Sequence, residues 1–185
     1  MGIWLSIDGT GDVQEYSRHN SKWNVVEEAA NRWLEFERDY TDIVRVNFAP
    51  TISLYNIFNI IELMKWFLDL RSDVLNDEQK FSNCNWNITT WPNYIDIKHL
   101  PEKEKVIQDL KLYKETITNK SLVNYKELIA RIIERLYIEG NKRELINFVQ
   151  YNKDLDTLRN QDFTDVFPEL FQQIEKMWNN IPGKL

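Results

Sequence analysis

Along residues 1–100 the hydrophobic positions switch between two periods. Ile3 to Asp8 is a short apolar run that ends in Asp8-Gly9-Thr10-Gly11-Asp12, the pattern of a buried strand followed by a glycine-rich loop. From Trp23 the period lengthens. Trp23, Val26, Ala30, Trp33 and Leu34 recur at three- and four-residue spacing while Glu27, Glu28, Asn31, Arg32 and Glu35 fill the other face, which predicts an amphipathic helix capped by Ser21 and ending near Arg38. Ile43 to Leu54 alternates and then turns continuously apolar around Phe48 and Ala49, as a strand buried on both faces does, with Pro50 at a bend or at its end. A second helix is predicted over Ile57 to Leu70. Ile57, Ile60, Ile61, Met64 and Phe67 line one face and Phe58, Leu63, Trp66 and Leu70 spread over the rest, so it should be buried on more than one side. A third, Asn-containing strand is read at Asn83 to Thr90, stopped by Trp91-Pro92 and resumed at Tyr94 to Ile97.

The order βαβαβ implies parallel pairing with helical crossovers, and hence an open α/β sheet or a segment of a β/α barrel. From Pro101 the texture changes. Glu102 to Ile117, Ser121 to Glu139, Lys142 to Arg159 and Thr164 to Asn180 all carry helical periodicity, clearest in Leu122, Tyr125, Ile129, Ile132, Ile133 and Leu136, and Gly140 suits the C′ position of the second of these helices. The expected fold class is therefore α/β over residues 1–100 followed by an α-helical region over residues 101–185, with no sustained heptads and no internal repeat.

Composition narrows the function. Hydrophobic residues make up 43% of the 185 residues and aromatic residues 13%, with seven Trp, which is ample for a core. The 23 Lys and Arg against 29 Asp and Glu leave a net charge of −6, so the basic face that neutralises phosphates is not advertised and no nucleic-acid partner is expected. Without eighteen consecutive apolar residues or a basic, cleavable leader, neither a membrane span nor a secretory signal is read, and the expected location is the cytoplasm. The single cysteine, Cys84, excludes an internal disulfide and any thiolate-ligated cluster or zinc site built by this chain alone.

In parallel α/β architectures ligands sit beyond the carboxyl ends of the strands, which makes Ser6, Asp8, Thr51, Ser53, Asn56, Thr89 and Thr90 candidate site residues. The same residue types serve as turn and cap residues, and position alone does not separate the two roles. Gly9-Thr10-Gly11 lacks both the dinucleotide-binding spacing and the Lys-Thr pair of a phosphate loop, so a tight turn accounts for it. Arg18 precedes the helix that begins near Ser21, where its guanidinium and the helix N-terminus together could hold a ligand carboxylate; a surface pair with Glu15 or Asp12 is the alternative. His19 and His99 share no ligand spacing with Cys84, so they read as a capping or surface residue and a loop residue, and Cys84 reads as a small core residue.

Taken in order, Leu5-Ser6-Ile7-Asp8-Gly9 and Glu15-Tyr16-Ser17-Arg18-His19-Asn20-Ser21-Lys22-Trp23 resemble the fourth strand and following loop of radical S-adenosylmethionine enzymes with SPASM or twitch C-terminal domains. Asn47-Phe48-Ala49-Pro50-Thr51-Ile52-Ser53-Leu54-Tyr55-Asn56-Ile57 resembles their fifth strand. Trp91-Pro92-Asn93-Tyr94 with His99-Leu100-Pro101 resembles the sixth-strand region of a twitch-type group found in phage and marine bacterial genomes, and Leu155-Asp156-Thr157-Leu158-Arg159 and Phe167-Pro168-Glu169-Leu170 are similar to that group's helical C-terminus. The resemblance implies a partial β/α barrel in which a 4Fe-4S cluster reduces S-adenosylmethionine to a 5′-deoxyadenosyl radical. It implies that Ser6 and Arg18 contact the methionyl carboxylate, that Asp8 borders the same pocket, and that Thr51 to Ser53 line the end of the next strand. The family's C-x-x-x-C-x-x-C cluster motif and its Gly-Gly-Glu segment are both absent. The chain thus resembles the second half of the barrel, about three βα units with a helical tail. On this reading it contributes part of the S-adenosylmethionine pocket, is inactive alone, and is partnered through its open sheet edge by a complementary N-terminal half or by a second copy. The other reading is a non-catalytic binding or scaffold module derived from a barrel half.

Overall fold

The computed structural model describes residues 1–40, 42–70, 84–119 and 122–181. The first strand, β1 (Gly2–Leu5), leads through a loop into a two-turn helix, α1 (Gly11–Ser17), and then into α2 (Trp23–Asp39). Helix α1 was not foreseen. Its few apolar positions, Val13 and Tyr16, are too short a series to show a period, and residues on both sides carry loop composition.

The strand read over Ile43 to Leu54 is divided. β2 (Arg45–Phe48) and β3 (Thr51–Ile52) flank Ala49-Pro50, where the proline has no N–H to give to a ladder. β1 pairs in parallel with β2, from Gly2 opposite Arg45 to Leu5 opposite Phe48. β3 pairs in parallel with β4 (Asn87–Ile88), and a parallel bridge from Phe48 to Cys84 joins the two ladders. The middle strand therefore gives its first half to β1 and its second half to β4, and among the described residues β1 pairs with β2 alone. Between β3 and β4 in the chain comes α3 (Ile60–Leu70), shorter than its apolar pattern because Leu54–Asn59 are taken up by turns. Asn83, read as the start of the third strand, lies outside the described residues. The resumed strand at Tyr94 to Ile97 does not form; two short 3₁₀ turns, Asn93–Ile95 and Ile97–His99, occupy that stretch.

The remainder is helical: α4 (Glu104–Thr116), α5 (Val123–Tyr137), α6 (Lys142–Arg159), α7 (Phe163–Val166) and α8 (Pro168–Asn180). Ser121, read as the start of α5, lies outside the described residues. The segment read as one helix from Thr164 is two, because Pro168 starts a new helix at a position where its missing N–H costs nothing. Gly140 is not the left-handed C′ residue expected after α5. Ile138 follows the helix directly, and Gly140 instead permits close approach, since a Cβ there would stand 2.6 Å from the Lys98 carbonyl oxygen.

The fold is thus mostly helical, with short parallel strands and helices in alternation over its first half. One apolar core runs through both halves, from Val46, Phe48 and Ile52 through Phe67 and Trp86 to Tyr125, Ile129, Phe148 and Leu170. Trp86 meets Tyr125 edge-on and Tyr55 meets Phe148, so aromatic contacts seal the strand layer to the helical region. Among the described residues no helix is long and apolar enough to cross a membrane.

Candidate functional site

Strands of two to four residues make few ladder bonds, and the loops beyond their carboxyl ends are held by side chains instead. Asn56 is buried. Its Nδ2 donates to the carbonyls of Asp8 and of Thr51 (2.7 Å), and its Oδ1 accepts the Ser53 N–H at 2.8 Å. Gln14, also buried, accepts the N–H groups of Asp8 (2.8 Å) and Gly9 (3.3 Å) on its Oε1. Thr10 and Asn59 interlock, Thr10 N–H donating to Asn59 Oδ1 at 2.9 Å and Thr10 Oγ1 donating to Glu62 at 2.9 Å. Two amide side chains therefore tie the loop after β1 to the loop after β3.

On this base Asp8 stands with each oxygen engaged. Oδ1 accepts the Thr51 N–H at 2.7 Å, and Oδ2 accepts Arg18 Nε at 3.0 Å and Nη2 at 2.9 Å. The pair is open on the Arg18 side, whose side chain is 42% exposed against 16% for Asp8. Arg18 thus pairs with neither Glu15 nor Asp12 but across the loop with Asp8. Its other expected neighbour, the α2 N-terminus, is not free for a ligand: Glu15 accepts the Trp23 N–H at 2.9 Å and pairs with Lys22 at 2.8 Å. These bonds, led by that from Lys22, hold the Glu15 carboxyl below the usual carboxylate range. Ser21 does not cap α2; its hydroxyl donates to the Gln14 carbonyl.

Of the residues expected at the site, Asp8, Arg18 and Thr51 come together, and Ser6 lies exposed just past β1. Ser53 is buried, and its hydroxyl accepts the Tyr55 N–H at 3.3 Å. Thr89 is likewise buried, donating to the Trp91 carbonyl at 2.8 Å, while Thr90 is exposed. Cys84 is buried at its bridge to Phe48. His99 is no loop residue. It is buried in the second 3₁₀ turn, Nδ1 accepts the Asn141 N–H at 2.8 Å, and burial pushes its pKa down.

A second polar cluster had gone unread. The buried Tyr16 places its hydroxyl 2.9 Å from Asp156 Oδ1 and 3.1 Å from Asn152 Oδ1, while Asp156 Oδ2 accepts the Phe163 N–H at 3.0 Å. Burial raises the pKa of Asp156 and, more strongly, that of Tyr16. A signal did exist: Leu145, Phe148 and Val149 make an apolar face on α6 that Asn152 and Asp156 continue at helical spacing, and polar residues on a buried face need partners.

The residues present do not fit a 4Fe-4S cluster. Cys84 is the sole cysteine, and among the described residues no three His, Cys, Asp or Glu side chains are grouped as metal ligands. A methionyl carboxylate fits better: Arg18 gives Nε and Nη2 to Asp8, which leaves Nη1 for a second carboxylate on the exposed side. No family model, curated protein or solved structure matches the chain.

Proposed function

We propose that this chain is the C-terminal part of a radical S-adenosylmethionine enzyme of the twitch type, inactive by itself, which supplies one wall of the S-adenosylmethionine pocket. The observation that carries the reading is the outer edge of β1, unpaired among the described residues, whose carboxyl end leads into the loop of Asp8, itself bonded to Arg18. A strand edge of this kind presents unmet N–H and C=O groups to another strand. Exposed rings stand elsewhere on the first half as well: Trp4 on β1 is 58% exposed, and the exposed rings of Trp33, Phe36 and Tyr40 follow one another along α2 with centroids 6.0 and 4.6 Å apart. An N-terminal barrel half that brings three cysteines would cover this edge and provide the cluster ligands this chain lacks. When bound, S-adenosylmethionine would supply the radical chemistry. Arg18 would fix its carboxylate, and Asp8 would hold Arg18 in place while bonding Thr51.

The test is co-expression with a polypeptide that carries the three-cysteine half. The expected result is a co-purifying complex that, after anaerobic reconstitution with iron and sulfide, releases 5′-deoxyadenosine from S-adenosylmethionine, and that loses this release on Arg18→Ala. Failure of the two to associate, or release unaffected by that substitution, overturns the reading. A non-catalytic scaffold is the second reading, favoured by the way Ser53, Asn56 and Thr89 spend their side-chain polar groups on the backbone of the chain's own loops. It is upheld if the chain forms a stable homodimer through β1 and binds no S-adenosylmethionine in calorimetry.

A further inference from the structure

A half-open pocket lies at the same end of the strands, assembled from segments that follow three of them. Tyr16 and Ser17 end α1 after β1, Tyr55 follows β3, and Pro92 and Tyr94 follow β4; Tyr151 and Arg159 of α6 cover them. The cavity they line measures about 190 Å³, room for a single ring and well below the roughly 300–1,000 Å³ of pockets that take larger ligands.

Three features define what would fit. The walls are aromatic. Tyr94 and Tyr151 stand 5.1 Å apart at 43°, and Tyr16 and Tyr55 6.0 Å apart at 41°, so ring faces and edges are offered to a flat guest. The Ser17 hydroxyl is buried without a hydrogen-bond partner among the described residues, which is costly unless something else meets it. The third feature is Arg159. Its hydrogen bond among the described residues is a long one, 3.4 Å from Nη1 to the Tyr16 carbonyl, and among those residues no carboxylate makes an ion pair with it. Asp156, the nearest acid along the helix, is turned to the Tyr16 hydroxyl and the Phe163 N–H and is not part of the lining. A guanidinium with its fork unspent, at the end of an aromatic slot, is a carboxylate receptor.

We propose that this cavity binds a small aromatic carboxylate, its ring between Tyr55, Tyr94 and Tyr151 and its carboxylate on Arg159. The site is complete within the chain and does not rest on the half-barrel reading. It is tested with the full chain by fluorine NMR, titrating 4-fluorobenzoate as the probe and 4-fluorobenzylamine as its cationic counterpart. The benzoate resonance should shift and broaden saturably. Arg159→Gln should weaken binding by about tenfold or more, the scale of a lost charged hydrogen bond, and the amine should show no saturable binding. Tyr151→Ala, at the exposed rim where the fold is least at risk, should weaken the benzoate severalfold and is the decisive variant if Arg159→Gln loses its native near-UV circular dichroism. The proposal is overturned by a benzoate signal that does not saturate, by an amine that binds as well, or by folded variants that bind as the parent does.

Discussion

Two Arg–Asp forks, Asp8–Arg18 at the strand ends and Asp96–Arg135 between the strand layer and the helical region, use the same chemistry to opposite ends. Asp96 is 0% exposed, just after the first 3₁₀ turn; Arg135 on α5 donates to both its oxygens, Lys98 adds its N–H at 3.1 Å and its ammonium at 3.6 Å, and no part of the carboxylate is left for solvent. Asp8 is as fully engaged, but its arginine faces outward. Burial turns the Asp96–Arg135 fork into a clamp whose removal strands a charge, whereas the Asp8–Arg18 fork can exchange one carboxylate for another at small cost. A residue pair is thus a poor guide to role until its solvent exposure is known.

The sharpest way to break this contrast is Asp96→Ala, which leaves Arg135 and Lys98 facing an apolar interface; the loss should reach about 3–5 kcal/mol in urea unfolding. The pH dependence carries the same signature. Burial pushes the Asp96 carboxyl up, but the bonds and charges of Arg135 and Lys98 outweigh it and the pKa ends below the ordinary 3.8. The unfolded chain therefore takes up the proton first, so the stabilisation by Asp96 is complete above pH 3.8 and is lost as pH falls through the lower folded value. An acid limb that begins near pH 6.5 belongs instead to His99, whose folded pKa is depressed by burial. Asp156 has the opposite sign. Its raised pKa makes acidification stabilising until pH 3.8 is reached, and Asp156→Asn should remove that rise.

At the strand ends the larger effect is expected from an uncharged residue. Asn56→Ala leaves the Ser53 N–H and the carbonyls of Asp8 and Thr51 without their partner in a buried loop, a loss of about 2–4 kcal/mol by urea unfolding. Gly140→Ala should cost about 1–3 kcal/mol, because the new methyl meets the Lys98 carbonyl and the His99 Cα, backbone atoms that cannot swing aside.

How much of this the sequence could show depends on the scale of the signal. Long helical stretches such as Lys142 to Arg159 were legible to the residue, since Leu145, Phe148, Val149 and Asn152 recur at helical spacing. The parallel pairing of β1 with the Phe48 strand followed from the crossover order. Short elements were not legible: α1 has two turns, the Tyr94 to Ile97 stretch is apolar enough for a strand yet is claimed by Pro92 and by Asp96, which caps its own turn through the Lys98 N–H. The strand-end rule pointed to Asp8, Thr51 and Asn56, which hydrogen bonds bring together. It could not tell that Asn56 holds the loops while Arg18 looks outward, because that distinction rests on which of two neighbouring polar groups the core covers.

Arg18→Ala gives the smallest change in stability and the most telling result. The pair it breaks is partly exposed and screened, so unfolding should shift by less than about 1 kcal/mol, and Asp8 keeps its bond from the Thr51 N–H. A folded, barely weakened protein is then available in which only the outward guanidinium is gone. If that face holds a carboxylate ligand, binding should fall by about tenfold or more while the urea midpoint stays nearly in place. A large stability loss from Arg18→Ala would instead put the strand-end fork in the same class as Asp96–Arg135, a clamp for the fold, and the contrast between the two would vanish.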